Sequence, residues 1–489
     1  MNKTIRTIVV LSFLTGLVFS RTLAAESDNA DLLMEIRALK KRVEELEKKV
    51  AENESKTAGV STVPHGAKRA DEEYGIGEKI EKSTGPVKIE KVLHGAKRAE
   101  GAYRLGEGEK VEEAALTIAA DATFVLQGTP NANNAGEGED SAFNASWSSD
   151  IEIQKVFENW GLAFIHLEPG LGDTIESELS VFSNVNRDAG DTEGIPEVTE
   201  VWYEQCFLNK QIAITGGKLD FTIYFDQNRY ANDETTQFLA HMFRNSPVIE
   251  FPLNNALGLH THIQMESAKF LAFDFGYFNA NDTLKNIFDH GFYMGQINIK
   301  PAELLNYADK DEWGGNYRFY AWMNDRRHEK IVNENAPASD KTKLLNYGFG
   351  VSLDQMATDI FGFFARFGWE RSDVLPAGIE RADVRGAPTL EWAWSGGVQM
   401  AGNYYKRSED VLGLAVGQVF PSIRWKDAAA DDYGAGEGHV ELYYKCQLNR
   451  CLAISPDFQL IWNPRGISHS WQGDNDVIFV YGARAQVDF

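Results

Sequence analysis

Between Asp220 and Leu257 the chain gathers Asp226, Asn228, Arg229, Tyr230, Gln237 and Arg244 with Phe225 and Phe238. Carboxylates, amides and a guanidinium fork can exchange hydrogen bonds with hydroxyl groups. Aromatic faces can cover the apolar side of a saturated ring. Together they suit a polyhydroxylated ring held by many weak contacts. A loop longer than about 12–15 residues is as a rule functional or disordered, and the aromatic content argues against disorder. We expect segment 220–257 to fold into a lumen and narrow it. Asp226, Asn228 and Arg229 would be central, with Lys218, Asp220 and Arg244 in support and Arg318, Arg366 and Gln459 on the facing wall. The plainer alternative is an outer lid without a substrate role.

Covalent and redox chemistry find little footing. The sequence holds no Gly-x-Ser-x-Gly elbow, no His-Glu-x-x-His, no P-loop and no Cys-x-x-Cys. No enzyme, cofactor or metal centre is therefore expected. Asp226, Asn228, Asn232 and Asp233 have a loosely cation-binding spacing but lack the glycine and closing glutamate of a calcium loop. Three cysteines are too few for a disulfide framework, and all three are read as free thiols.

The elements that would carry these residues alternate with period two. In 477–489, Val477, Phe479, Tyr481, Ala483, Ala485, Val487 and Phe489 form one apolar row, and Gly482, Arg484, Gln486 and Asp488 a mostly polar one. That length suits a tilted strand crossing a bilayer, which takes about 9–11 residues, and the last aromatic suits an interfacial girdle. The same alternation recurs at Tyr317–Met323, Phe361–Glu370, Val440–Leu448 and Leu452–Trp462. Its polar rows mix Arg, Lys, Glu, Asp and Gln, as a wet lumen would. By parity Glu204, Lys218, His260, His262, Asp274, Arg318, Trp322, Arg366, Glu391, Asp457, Gln459 and Arg484 face inward. Phe361, Phe363, Phe458 and Trp462 face lipid. Short turns at Asn209-Lys210, Ser267–Lys269 and Asn449-Arg450 contrast with long loops at 172–198, 220–257, 324–345, 372–388 and 463–476. One short rim and one long rim point to a closed antiparallel transmembrane β-barrel of about sixteen strands over 116–489. The connection at 300–313 is longer than this rule predicts.

Three zones precede the barrel. Lys3 and Arg6, the apolar run Ile8–Phe19 and the small residues Ala24 and Ala25 read as a signal peptide over 1–25. Leu32, Ile36, Leu39, Val43, Leu46 and Val50 form a heptad stripe that predicts a coiled-coil helix over 26–56 and a homo-oligomer. Residues 57–115 read as a periplasmic linker in which HGAKRA occurs twice, at 65–70 and 94–99. A cell-wall contact is the functional reading of that repeat, and a duplicated spacer the plainer one. The net charge of −24 argues against nucleic acid and anionic lipid as partners.

Four ordered segments carry a family likeness. GGKLDFTIYFDQNRYANDETTQFL (216–239), RSEDVLGLAVG (407–417), ELYYKCQLNRCLAISPDFQLIWNPRG (441–466) and the end at Phe489 resemble the carbohydrate-selective outer-membrane porins, the OprB-like family. The resemblance covers about 116–489. It implies a barrel in the bacterial outer membrane, surrounded by its lipid, through which mono- or oligosaccharides diffuse passively and with partial selectivity. A general porin and an envelope-tethering barrel are the alternatives. A barrel enzyme would need a constellation these strands do not supply.

Overall fold

A computed structural model describes residues 116–134, 141–157, 160–188, 194–252, 255–281, 286–307, 314–331, 343–376, 389–429, 436–466 and 477–489. The expected signal peptide, coiled coil and repeat linker lie outside the described residues.

The strands in chain order are β1 (Leu116–Thr129), β2 (Ala142–Phe157), β3 (Gly161–Glu168), β4 (Gly170–Gly172), β5 (Glu197–Phe207), β6 (Ile212–Leu219), β7 (Ala256–Ile263) and β8 (Leu271–Asn279). They continue as β9 (Gly291–Ile299), β10 (Gly315–Glu329), β11 (Lys343–Met356), β12 (Phe361–Glu370), β13 (Leu390–Ala401), β14 (Val411–Pro421), β15 (Glu437–Gln447), β16 (Leu452–Trp462) and β17 (Val477–Asp488). β4 is a three-residue strand laid on β2, while β3 pairs with β5. The other sixteen form one antiparallel sheet that closes where β1 meets β17, from Asp121 opposite Asp488 to Gly128 opposite Tyr481. Closure leaves no sheet edge across the barrel wall.

Side chains sort by parity as a barrel requires. On β16, Phe458 is 57% exposed between Asp457 at 2% and Gln459 at 3%. On β12, Phe361, Phe363 and Phe367 are exposed while Phe364 and Arg366 are buried. The outward row is the lipid belt.

The two rims differ. Turns such as Leu208–Gln211, Ala357–Ile360 and Leu448–Cys451 lie at one end, together with Phe489, whose N–H donates to Ala120 O at 2.9 Å. The connection from β9 to β10 belongs to this rim and holds a short helix, α1 (Pro301–Leu304), which explains its length. The turn from β13 to β14 is also long, and Arg407 and Asp410, at the start of the 407–417 segment with an Arg-x-x-Asp-x-x-Gly motif, hold it. Asp410 accepts from Arg407 at 2.5 and 3.1 Å, from Gln447 N at 3.0 Å and from the Tyr444 hydroxyl. Two neighbouring turns are thereby latched together. Gly413 completes the motif, because a Cβ there would run into the Tyr443 ring.

Two connections on the other rim fold inward. Segment 173–188 packs Ile175, Leu179 and Val185 against Ile461, Ile478 and Val480. Segment 220–255 holds a 3-10 turn over Phe221–Ile223 and one turn of α-helix, α2 (His241–Arg244). Its first limb sets Phe221, Ile223, Tyr224 and Phe225 on a wall of Phe164, Trp202, Phe278, Phe292, Tyr320 and Trp322. Its return limb sets Phe238, Met242 and Phe243 on Phe364, Val419 and Tyr443. The inner wall is thus wet only in part. Parity says which side a residue faces, not whether a second layer will cover it.

Candidate functional site

The inner layer is fixed by backbone groups that strand side chains satisfy. Arg366 donates to Phe243 O at 2.6 Å, Ala231 O at 2.7 Å, Asp226 O at 3.0 Å and Asn232 Oδ1 at 3.3 Å. Its Nε lies 3.3 Å from Asp226 Oδ1. The guanidinium thus meets Asp226 and Asn232, while Asn228 bonds Leu353 O and Asp233 accepts from Thr235 and Thr236. Burial raises the Asp226 carboxyl above its ordinary range, and Arg366 pulls it back down. Arg484 donates to Glu234 O at 2.5 Å and Gln237 O at 2.9 Å. Glu441 accepts from Leu239 N at 2.6 Å and Ala240 N at 3.0 Å, and Glu437 accepts from Phe182 N and Ser183 N. Such charge-assisted bonds are about twice as strong as neutral ones. They hold both segments as part of the fold. The segments also clasp each other, through Arg187 N to Leu239 O at 3.0 Å and Met242 N to Ser183 O at 3.2 Å.

A second set of charges faces water. Arg244 Nε lies 2.5 Å from Glu234 Oε2, and its Nη2 lies 3.9 Å from Asp220 Oδ2. Arg187 is exposed although the barrel surrounds it, and its guanidinium makes no hydrogen bond or ion pair among the described residues. Desolvation inside the barrel and the neighbouring Arg244 push its pKa down, while Glu234, Asp220 and Glu168 push it up. Burial raises the Glu234 carboxyl, and Arg244 opposes that rise. His241 is held well below its usual range by burial and by Arg187, Arg244 and Arg366, which keeps it neutral. Two cations therefore face several carboxylates within the barrel.

The residues singled out from sequence separate into distinct neighbourhoods. Asp220 and Arg244 meet at the water-facing cluster. Asp226, Asn228 and Arg366 are buried where the inner layer is pinned, and Asn228 Nδ2 donates to Leu353 O at 3.0 Å. Arg318 pairs with Asp354 at 2.5 Å. Arg229 lies close by, its N–H donating to Asp354 Oδ2 at 3.3 Å and its exposed guanidinium over the Tyr230 ring. Both lie toward the short-turn rim. Gln459 belongs to the other inward segment, donating to Val185 O at 2.9 Å.

Lys218 corrects the parity reading. It stands opposite Val201 on the outward row, and Leu219 takes the inward place. Its ammonium reaches Val198 O at 2.7 Å, near the exposed Glu197 carboxylate. Long lysine stems snorkel in this way at an interface. Ten of the other inward readings hold, and Glu391 sits, half-buried, at the bulge between Leu390 and Trp392, where parity breaks. Cys206, Cys446 and Cys451 are free, as expected.

Arg187 and Glu234 were not singled out in the sequence. Segment 172–198 is as long and polar as many functional loops, and that length was the available signal.

Comparison with known proteins agrees with this geometry. A family model described as carbohydrate-selective porin, OprB family, matches residues 171–489. The high-pH structure of Pseudomonas putida OprB is 15% identical and aligns over 76% of this chain and 94% of that one, with a TM-score of 0.60. The low-pH structure of the same protein is 12% identical over 76% and 92%, with a TM-score of 0.43. The outer membrane channel DcaP of Acinetobacter baumannii is 9% identical over 78% and 99%, with a TM-score of 0.44. No curated protein sequence matches the chain.

Proposed function

From the premise that this chain belongs to the carbohydrate-selective porin, OprB family, and is an outer-membrane carbohydrate porin, we propose that sugars pass at the water-facing cluster between its two inward segments. Arg187, Arg244, Glu234 and Asp220 are the groups that meet the sugar, with Glu168 beside them. The observation that carries this reading is Arg187, a guanidinium inside the barrel with no hydrogen bond or ion pair among the described residues and with carboxylates around it. A fork donor and carboxylate acceptors can exchange bonds with successive hydroxyls. Because no group there encloses a ligand, contacts stay weak and exchange fast, as downhill conduction requires. Asp226, Asn228 and Arg366 act indirectly, by holding the inner layer in place. The same reading makes the protein a channel without enzymatic activity.

The short-turn rim is read as periplasmic, following outer-membrane barrels in general. β1 begins at that rim with Leu116. This supports a periplasmic place for the helix and the repeat, with self-association as the helix's role.

The test is sugar block of ion current through the full chain in a planar bilayer. Wild-type channels should show a saturable, low-affinity fall in current with mono- or oligosaccharide, weakened in Arg187→Ala and Glu234→Gln. Wild-type channels whose current no sugar reduces would overturn the reading.

A further inference from the structure

On the inner wall beside the constriction, Asp150 of β2 stands across from Glu168 at the end of β3, and His166 lies one inward position away on the same strand. Like charges opposite each other on one sheet face destabilise the pair. The ligand atoms of all three residues lie within 4.8 Å of one another. His166 Nε2 is 2.7 Å from Asp150 Oδ1, and its Nδ1 is 2.6 Å from Thr199 Oγ1. Glu168, half-buried at the end of β3, accepts no hydrogen bond from a described residue.

We propose that Asp150, His166 and Glu168 form a binding site for a divalent transition-metal cation on the channel wall. One imidazole nitrogen and two carboxylates, with water completing the shell, are a donor set that zinc accepts. Calcium, which wants about 6–8 oxygens, is disfavoured. The Thr199 contact supplies what such a histidine needs on its far nitrogen. With Nε2 given to the metal, Nδ1–H would donate to the hydroxyl and hold the ring with Nε2 toward the carboxylates. Zinc–ligand bonds of about 2.0–2.2 Å require Asp150 to retreat slightly from Nε2 and Glu168 to swing in. Both are side-chain rotations on rigid strands. The cation would stand near Arg244 and Glu234, which already act on Glu168, and would make that side of the constriction more positive.

The site borders the sugar cluster at Glu168, but the sugar reading does not depend on it, and the absence of zinc binding would leave that reading standing. The test uses the full chain in detergent with its three cysteines replaced by serine, so that thiols cannot bind the metal. Titration calorimetry with zinc chloride should show stoichiometric binding that calcium does not reproduce. His166→Ala should abolish it, Glu168→Gln should weaken it at least tenfold, and the control His290→Ala should keep it. Zinc should also lower potassium conductance in this background but not in His166→Ala, with barrel folding checked by heat-modifiable gel mobility. No stoichiometric zinc binding in the unmutated site, or equal binding in a folded His166→Ala barrel, would overturn the proposal.

Discussion

Around Arg366 and around Arg187 the same side-chain chemistry meets two different surroundings. Arg366 is buried, both of its terminal nitrogens donate to backbone oxygens, and its Nε lies at ion-pair distance from Asp226. Arg187 is exposed, and among the described residues its guanidinium is not bonded at all. The difference separates structure from transport. A guanidinium whose donors are spent on the protein fixes a shape, whereas one that keeps its donors can offer them to a passing solute.

The largest effect should come from the spent arginine. Arg366→Ala strands Asp226 and several carbonyls, and breaking a buried pair in this way costs about 3–5 kcal/mol. The inner layer should detach, with single-channel conductance rising severalfold and segment 220–255 becoming open to protease. Unchanged conductance and protection would erase the distinction between the two regions. Phe221→Ala should loosen the first limb by a comparable route, since emptying a fully buried aromatic site costs about 3–5 kcal/mol. Its readout is the same protease cleavage, without a change in charge.

Next comes the free arginine. Arg187→Ala should weaken sugar block about tenfold, the scale of a lost hydrogen bond to a charged group, while protease resistance stays at the wild-type level. A loss of protection in this variant would mean that Arg187, too, is structural.

A pH series sharpens the contrast without mutation. Burial holds the Glu234 carboxyl above the ordinary range, so on acidification it protonates before exposed carboxylates do. Arg187 and Arg244 are then left less compensated, and reversal potentials in a salt gradient should move toward chloride. Glu234→Gln should show that shift already at neutral pH and respond less to acid. An identical pH response in wild type and variant would remove Glu234 from the conduction path.

The smallest effects are expected away from the cluster. Arg229→Ala, near the short-turn rim, should change sugar block by less than about twofold, and Lys218→Ala, on the outer row, should leave conductance unaltered. Both figures follow from surface charges contributing little, roughly 0–1 kcal/mol. A large effect of Lys218→Ala would contradict its outward placement.

The alternation of 477–489 and 452–462, together with two unequal rims, was enough to state the barrel, its strand number and the facing of nearly every residue named. A strand's two faces are written at every second position, so the sequence carries them locally. Lys218 shows the limit of that rule. Whether a lysine near a strand end points into water inside or snorkels to the rim depends on the neighbouring strand, here Val201 opposite it. The inward course of 220–255 was readable from its length and aromatics, but the division of labour within it was not. Asp226 and Asp220 are the same residue type six positions apart, and only one of them meets Arg366.

By itself, then, the sequence determined what is periodic or local: the barrel, the lipid row and the inward row. Tertiary structure alone decided which inward charges are spent and which are free. That outcome depends on residues more than a hundred positions apart, such as Arg366 with Ala231 or Glu441 with Leu239, meeting across the lumen. A hydrogen bond has a short reach, and no spacing along the chain encodes a contact that exists only once the barrel has closed around its own loops.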